Sequence, residues 1–355
     1  AESFLQQHPF IDICCHGEGE KVFFDLLEGY PAKDWQAIPA ISYMDAKHQF
    51  QNHPKAKRLE DINEIPSPYL TNVFQPLIKM NPFQSWSVLW ETNRGCPFSC
   101  TFCDWGSAVN SKVYRFDLQR LTDEINWFAE NKIHTVFNCD ANFSILKQDL
   151  RLTEMMVQSK SKKSFPQTFM IQTTKNMTER AYQIVKQLHD ADLNQFVTLS
   201  LQSLNLETLH YIKRDNISLE MYRELQARFQ KEGVQTYTDI LIGLPGETYD
   251  SFADGIDQII KEGQYNLIHY YPVYLLPNAE MASLAYREKY NIETVVIPYV
   301  FSLDHHGNDE TLPAETQEMI VATHTMSRED WVNMRVFSWY SYLLPLHRKL
   351  MQIPF

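Results

Sequence analysis

Six short strand-like runs, all but the last followed by a helical pattern, fill the middle of this chain and leave it few ways to fold. They are "WSVLWET" (86–92), "IHTVFNC" (133–139), "TFMIQTT" (168–174), "QFVTLSLQS" (195–203), "QTYTDILIG" (235–243) and "NLIHYYPVYLL" (266–276). Between them lie amphipathic stretches such as "DLQRLTDEINWFAENK" and "TERAYQIVKQLHDAD", the second with Thr178 as N-cap and Glu179 in its first turn. A tight turn cannot join parallel strands, whereas a helical crossover can, and such crossovers are right-handed in nearly every case. The alternation predicts an α/β fold with a parallel sheet. Because each strand adds in turn, it predicts a partial (βα)6 TIM-like barrel over 86–289, with active groups at the C-terminal ends of the strands.

The flanks read differently. "FIDICCHGEGEKVFFDLLEG" (10–29) is a strand whose apolar run Ile11, Ile13, Cys14 and Cys15 suggests burial, then a Gly-containing turn, then a helix. Val22, Phe23, Leu26 and Leu27 recur at helical spacing, with Gly29 where a cap would sit. One strand and one helix cannot make a domain, so residues 1–30 read as the last βα unit of a Rossmann-like domain, and the chain, which opens on Ala1, reads as a fragment. Residues 31–85, with "DINEIPSPYL" at their centre, read as a linker with short strands. Residues 290–355 form a small α+β or helical extension, in which Ser327 and Asp330 make a capping box.

Charge and composition exclude several partners. The chain has 355 residues and a net charge of −12, and no basic groove is visible, so nucleic acid is not expected as a partner. The basic run in "QSKSKKSF" (158–165) reads as a solvated helix end. No stretch reaches the roughly 18 apolar residues of a membrane span, and no leader pattern opens the chain. Six cysteines in a chain of this length do not suggest a disulfide scaffold, which points to a reducing cytoplasm.

Three of those cysteines carry the chemistry. "NRGCPFSCTFCDWG" (93–106) follows the first barrel strand and holds Cys96, Cys100 and Cys103 as C-x3-C-x2-C. A closed zinc site needs four ligands, commonly two C-x2-C pairs, and ferredoxin runs supply four cysteines. Three thiolates on one loop can instead hold three irons of a 4Fe–4S cluster and leave the fourth open to a substrate. Buried structural thiols and a non-catalytic zinc or iron–sulfur module are the competing readings. Pro97, Ser99, Thr101 and Asp104 favour a polar turn over a thiol core.

This pattern resembles the radical S-adenosylmethionine (SAM) enzymes. "CTFC" (100–103), "CDANF" (139–143), "LSLQS" (199–203) and "GLPGET" (243–248) all fall where members of that family carry related motifs. The resemblance covers roughly 86–276. It implies a 4Fe–4S cluster on Cys96, Cys100 and Cys103, with SAM chelated at the open iron and cleaved reductively to a 5′-deoxyadenosyl radical. It also implies an external low-potential electron donor of the flavodoxin or ferredoxin type.

Cofactor contacts follow from the same resemblance. Phe102 would lie beside the adenine. Asp140 and Asn142 would hold the methionine amine or ribose, although Asp140 could equally be a turn residue. Gln202 and Ser203 would meet the ribose or carboxylate, or else cap a strand end. Lys175 would pair with the carboxylate, or else be a surface lysine. Ile240, Leu241 and Ile242 would offer apolar and backbone contacts to adenine, or be plain barrel core. Cys139 reads as a buried hydrophobe.

"HGEGE" (16–20) lacks the G-x-G-x-x-G fingerprint, and its glutamates would repel phosphate. Strand, GEGE and helix together look like the end of the cobalamin-binding domain that precedes the barrel in one subgroup of the family. A D-x-H-x-x-G motif is absent, and the chain by itself is expected to bind cobalamin poorly; a simple βα extension is the other reading. The resemblance implies a cobalamin-dependent methyltransferase on a small molecule or peptide. A cyclase, epimerase or oxidase without methyl transfer is the alternative. "DHHGND" (304–309) reads as a polar loop, and Trp105, Tyr270, Tyr271, Tyr274 and Trp339 either line the substrate mouth or belong to the core.

Overall fold

The first elements form a small antiparallel unit. A computed structural model describes residues 1–30, 35–105, 112–299 and 315–351. Helix α1 (Glu2–Gln7) precedes strand β1 (Ile13–Cys15) and helix α2 (Gly19–Gly29). β1 pairs antiparallel with β2 (Ile41–Met44), which pairs antiparallel with β3 (Phe50–Asn52). Two elements of the 31–85 segment therefore complete the sheet that β1 begins. The core here is narrow: Val22, Leu26, Ile38, Ala40 and Ile41. β1 is not the buried strand its apolar run suggests, since Ile13 and Cys14 are half-buried and Cys15 is exposed. Only the Val22 and Leu26 stripe of α2 packs inward, while Phe23 and Leu27 are 58% and 57% exposed.

The next elements are α3 (Gln75–Met80), β4 (Ser87–Trp90), the two-residue strands β5 (Asn93–Arg94) and β6 (Tyr114–Arg115), and α4 (Leu118–Glu130). They are followed by β7 (Thr135–Asn138), α5 (Gln148–Lys163), β8 (Thr168–Met170), α6 (Glu179–Asp190) and β9 (Phe196–Thr198). Then come α7 (Leu206–Tyr211), α8 (Leu219–Glu232), β10 (Gln235–Ile242), α9 (Tyr249–Lys261) and β11 (Leu267–Pro272). All six expected strands form, shortened at their ends, and the pairings β4-β7-β8 and β9-β10-β11 are parallel. The strands do not make one continuous sheet. β8 and β9 have three residues each, and between them lies a cavity of about 680 Å³ lined by Gln172, Thr173, Phe196 and Tyr237 among others. Thr173 Oγ1 donates to Thr198 O across this seam at 3.4 Å.

Strand alternation sorts the side chains. Trp90, Val136 and Phe169 face the helices and join an aromatic core with Trp127, Phe128 and Phe143, each such side chain contributing about 1.5–3 kcal/mol on burial. In β10, Thr236, Thr238, Ile240 and Ile242 are buried, while Tyr237, Asp239 and Leu241 lie on the opposite, partly open face. Local signals start the helices: Thr178 Oγ1 accepts from Ala181 N at 3.2 Å, as the sequence predicts, and the structure adds a Thr248–Ser251 capping box on α9.

The tail adds α10 (Leu284–Lys289), β12 (Glu293–Pro298), β13 (Thr316–Ala322) and α11 (Arg328–Met351). β13 pairs with β12 and reaches back to the barrel, with Leu275 N donating to Glu318 O and Ile320 N to Val273 O, both at 2.9 Å. Ser327 and Asp330 exchange the expected capping bonds. Tyr270 packs against Phe252 and accepts from Ser341 Oγ at 2.8 Å, so it belongs to the core. Trp105, Tyr271 and Trp339 are exposed and Tyr274 is half-buried. "DHHGND" lies outside the described residues. Among the described residues no helix is long and apolar enough to cross a membrane.

Candidate functional site

The cysteine loop is built on the end of β4 and held from two sides. On one side Asp140, 1% exposed at the end of β7, accepts from Thr92 N at 2.7 Å and Asn93 N at 3.1 Å, and from the side chains of Thr92 and Asn93. On the other, Thr101 N donates to Ile212 O at 3.0 Å, Met281 N donates to Thr101 O at 2.9 Å, and Thr101 Oγ1 lies 3.2 Å from Tyr286 OH. Cys103 N donates to Cys100 O at 3.2 Å, closing a turn. Cys96 and Cys100 are buried and Cys103 is half-buried.

Each buried sulfur meets a nitrogen. Asn142 Nδ2 donates to Cys96 Sγ at 3.2 Å. Lys175 Nζ donates to Cys100 Sγ at 3.6 Å and sits 4.0 Å over the Phe98 ring. Arg214, 7% exposed, donates to Ser200 O at 2.6 Å and to Asn216 Oδ1 at 2.9 Å, and its charge lies near Cys100. Burial lowers the pKa of both Lys175 and Arg214 below their ordinary ranges, while the thiols draw them up. Asn142 and Lys175 thus place an amide and a cation on the two buried sulfurs, hydrogen bonds of the kind that tune an iron–sulfur cluster. Asp104 Oδ1 is buried here without a hydrogen-bond partner. Among the described residues, no group of three or more His, Cys, Asp or Glu is gathered closely enough for a single metal ion. The donor set fits a cluster that spreads its ligands over several irons.

The other sequence candidates divide. Asn142 and Lys175 reach the cysteine loop. Asp140 is bound to the strand end leading to the loop, through the backbone and side chains of Thr92 and Asn93, and burial pushes its carboxyl up to about 6 against those hydrogen bonds. Ser203 is also consumed, donating to Glu247, which is 2% exposed. The side chains of Ile240 and Ile242 are in the helix-facing core, because alternation turns them away from the open face. Leu241 and Phe102 are half-buried and join one cluster with Leu209, Ile212 and Leu244. Gln202 sits at φ +66, its N donating to Asp239 O and its O accepting from Leu241 N, both at 2.9 Å. A non-glycine residue in that conformation is strained, and such strain concentrates at functional sites. Cys139 is half-buried rather than core.

Some site residues carry no motif. Arg214 sits in "YIKRDN" without any sequence signal. Asp239 accepts from Ser200 Oγ at 2.7 Å and lies 3.6 Å from His269 Nδ1, which is 3.2 Å from Tyr271 OH. Burial raises the Asp239 pKa. Period-two alternation along "QTYTDILIG" puts Asp239 on the open face, so this one was readable.

A family model described as the Radical SAM superfamily matches residues 90–259. The chain is 38% identical over 351 residues to the cobalamin-dependent radical SAM methyltransferase TokK of Streptomyces tokunonensis, covering 97% of this chain and 50% of that protein. It is 39% identical over 334 residues to the 2-(S-pantetheinyl)-carbapenam-3-carboxylate methyltransferase of Streptantibioticus cattleyicolor, covering 93% and 48%. The chain thus spans about half the length of the curated relatives it matches. Among solved structures, the radical SAM methyltransferase TsrM from Kitasatospora setae, with cobalamin and a 4Fe–4S cluster bound, aligns with a TM-score of 0.65 and 15% identity over 95% of this chain and 69% of that one. The cobalamin-dependent enzyme OxsB, with aqua-cobalamin and SAM bound, aligns with a TM-score of 0.63 and 15% identity over 96% and 52%. Those two likenesses are of fold.

Proposed function

Because the chain belongs to the radical SAM superfamily, we propose that it binds a 4Fe–4S cluster through Cys96, Cys100 and Cys103, cleaves SAM reductively, and works as a cobalamin-dependent methyltransferase on a small molecule. The observation that carries the reading is the cysteine loop itself: three thiols after the first barrel strand, two of them hydrogen-bonded to Asn142 and Lys175. When bound, the cluster supplies the electron that breaks a carbon–sulfur bond of SAM, and cobalamin supplies a carrier for the methyl group. The chain's own residues do the rest. Lys175 and Arg214 offset the negative charge of the thiolates. Asp140 fixes the backbone from which the loop departs. The buried faces of β4, β7 and β10 keep water from the helix side of the site. Gln202 and Leu241 stand at the strand ends where SAM would lie.

The two relatives named as methyltransferases support methyl transfer over a cyclase, epimerase or oxidase, and the name of the second makes a carbapenam carboxylate the first substrate to try, ahead of a peptide. None of the six cysteines is in a disulfide, which suits a reducing cytoplasm and an external donor of the flavodoxin or ferredoxin type. Anaerobic reconstitution tests the reading: uptake of about four irons per chain, with 5′-deoxyadenosine released from SAM under a strong reductant, is expected. S-adenosylhomocysteine formed alongside it marks methyl transfer. Cys96→Ala, Cys100→Ala and Cys103→Ala should each abolish cleavage, and full activity in Cys100→Ala would refute the assignment.

A further inference from the structure

The glutamates of "HGEGE" find their partners beside the neck of the cysteine loop, Glu18 at Arg58 and Glu20 at Arg94. That loop leaves the barrel at Arg94 and returns at Lys112, where β5 and β6 pair with Asn93 opposite Arg115 and Arg94 opposite Tyr114. One guanidinium spans this neck: Arg58 donates Nη2 to Arg94 O at 3.0 Å and Nη1 to Lys112 O at 2.5 Å, and stacks 4.2 Å from the Tyr114 ring. Between the two strands Gly95 sits at φ +120, and a Cβ there would meet Lys112 O at 2.4 Å. No side chain fits so close an approach. Arg58 is in turn held by Glu18, whose Oε1 accepts from Arg58 Nε at 3.2 Å and whose Oε2 accepts from Leu59 N at 3.0 Å. Arg94 is gripped by both oxygens of Glu91, at 2.8 and 2.7 Å, and by Glu20 at 2.7 Å. The side chains of Arg58, Glu18 and Arg94 are 11%, 12% and 15% exposed, so solvent screens these contacts less than it does an ordinary surface pair.

We propose that Arg58 and Arg94, held by Glu18 and Glu20, are positioning residues for the iron–sulfur site, so that the N-terminal βα unit acts as a clamp on the neck of the cysteine loop. The proposal rests on the cluster reading above and adds to it a role for a turn that the reading leaves idle. Three sulfurs must be held within roughly 0.5 Å of productive geometry to take up a cluster, and a loop fixed at both ends reaches that geometry at a smaller entropic cost. A planar guanidinium with five donors can bridge two carbonyls and still pair with a carboxylate; an ammonium is a point charge and cannot keep that geometry. Asp140 anchors the same loop from the barrel side, so the neck is held from both directions.

The full chain is reconstituted with iron and sulfide, and three quantities are compared: irons per chain, the electron paramagnetic resonance spectrum after reduction, and the melting temperature of the metal-free protein. Arg58→Gln and Arg58→Lys are both expected to weaken iron retention against a chelator about tenfold, as loss of an outer partner of a metal site does, with a changed spectrum and a metal-free melting temperature close to the parent's. Failure of Lys to rescue separates the bridging role from a simple ion pair. Should Arg58→Gln not fold, Glu18→Gln serves in its place, with faster iron release expected. An Arg58→Gln or Glu18→Gln protein that holds as much iron as the parent, with the same spectrum and release rate, overturns the clamp alone. A parent that takes up no iron overturns the cluster reading and the clamp with it.

Discussion

Asp149 shows how a single buried carboxyl can shape the pH response of the whole chain. It is fully buried at the start of α5, where Oδ2 accepts from Ser144 N at 2.8 Å and Leu146 N at 2.9 Å while Oδ1 has no partner. Burial pushes its pKa up from 3.8 to about 7, so the folded state prefers the neutral acid. A group whose folded pKa is raised contributes stability that is complete below the unfolded value and is lost as pH rises through the folded one. Denaturant midpoints of the metal-free protein should therefore fall between about pH 4 and pH 7. Asp149→Asn keeps the accepting oxygen and removes the charge, and should flatten that fall; an unchanged slope would reject the assignment. At this scale the sequence was informative where chemistry is local. C-x3-C-x2-C displays its ligands in one loop, and "CDANF" placed Asn142 near it. It could not show that Asp140 is spent on Thr92 and Asn93, because those bonds join residues 47 and 48 positions apart. Nor could it show Arg214, whose charge the fold brings near Cys100.

Among the elements, α2 separates what a periodic pattern reveals from what it hides. Four apolar residues at helical spacing predict a helix, and the helix forms. Only Val22 and Leu26 are buried, because the three-stranded sheet beneath it is too small to cover a wider face. Leu26→Ala should cost about 2–5 kcal/mol in chemical denaturation, the usual range for a buried leucine. Phe23→Gln and Leu27→Gln should each stay within about 0.5 kcal/mol, as exposed substitutions do. The reverse ranking would mean that α2 packs through its other side. The six barrel strands were readable by the same period rules. The joining of β1 to β2, and of β2 to β3, was not, since β2 and β3 are short and lie in a stretch whose prolines and asparagines suggest a connector.

At the level of the whole molecule, the six barrel strands form two half-sheets joined through a helix. Alternation of strand and helix predicts six strands in order, but it says nothing about which edges pair, and the structure leaves β8 and β9 apart. What joins the halves is α6. Its Ala181, Tyr182 and Val185 pack into the core around β9 and β10, while Ile184 and Leu188 pack into the aromatic core behind β4, β7 and β8. Two faces of one helix, about 100° per residue apart in sequence steps, thus serve two cores. The cofactor site draws on both halves, with Asn142 from the first and Arg214 from the second, so any loosening of this joint would be felt at the sulfurs. Ile184→Ala should therefore do more than remove the 2–5 kcal/mol typical of a buried isoleucine. Hydrogen exchange should quicken along β8 and β9, which each have an edge on the seam, while β7 and β10, paired on both sides, stay protected. A uniform rise in exchange across all six strands would mean that the halves open as one unit and that α6 is not the joint.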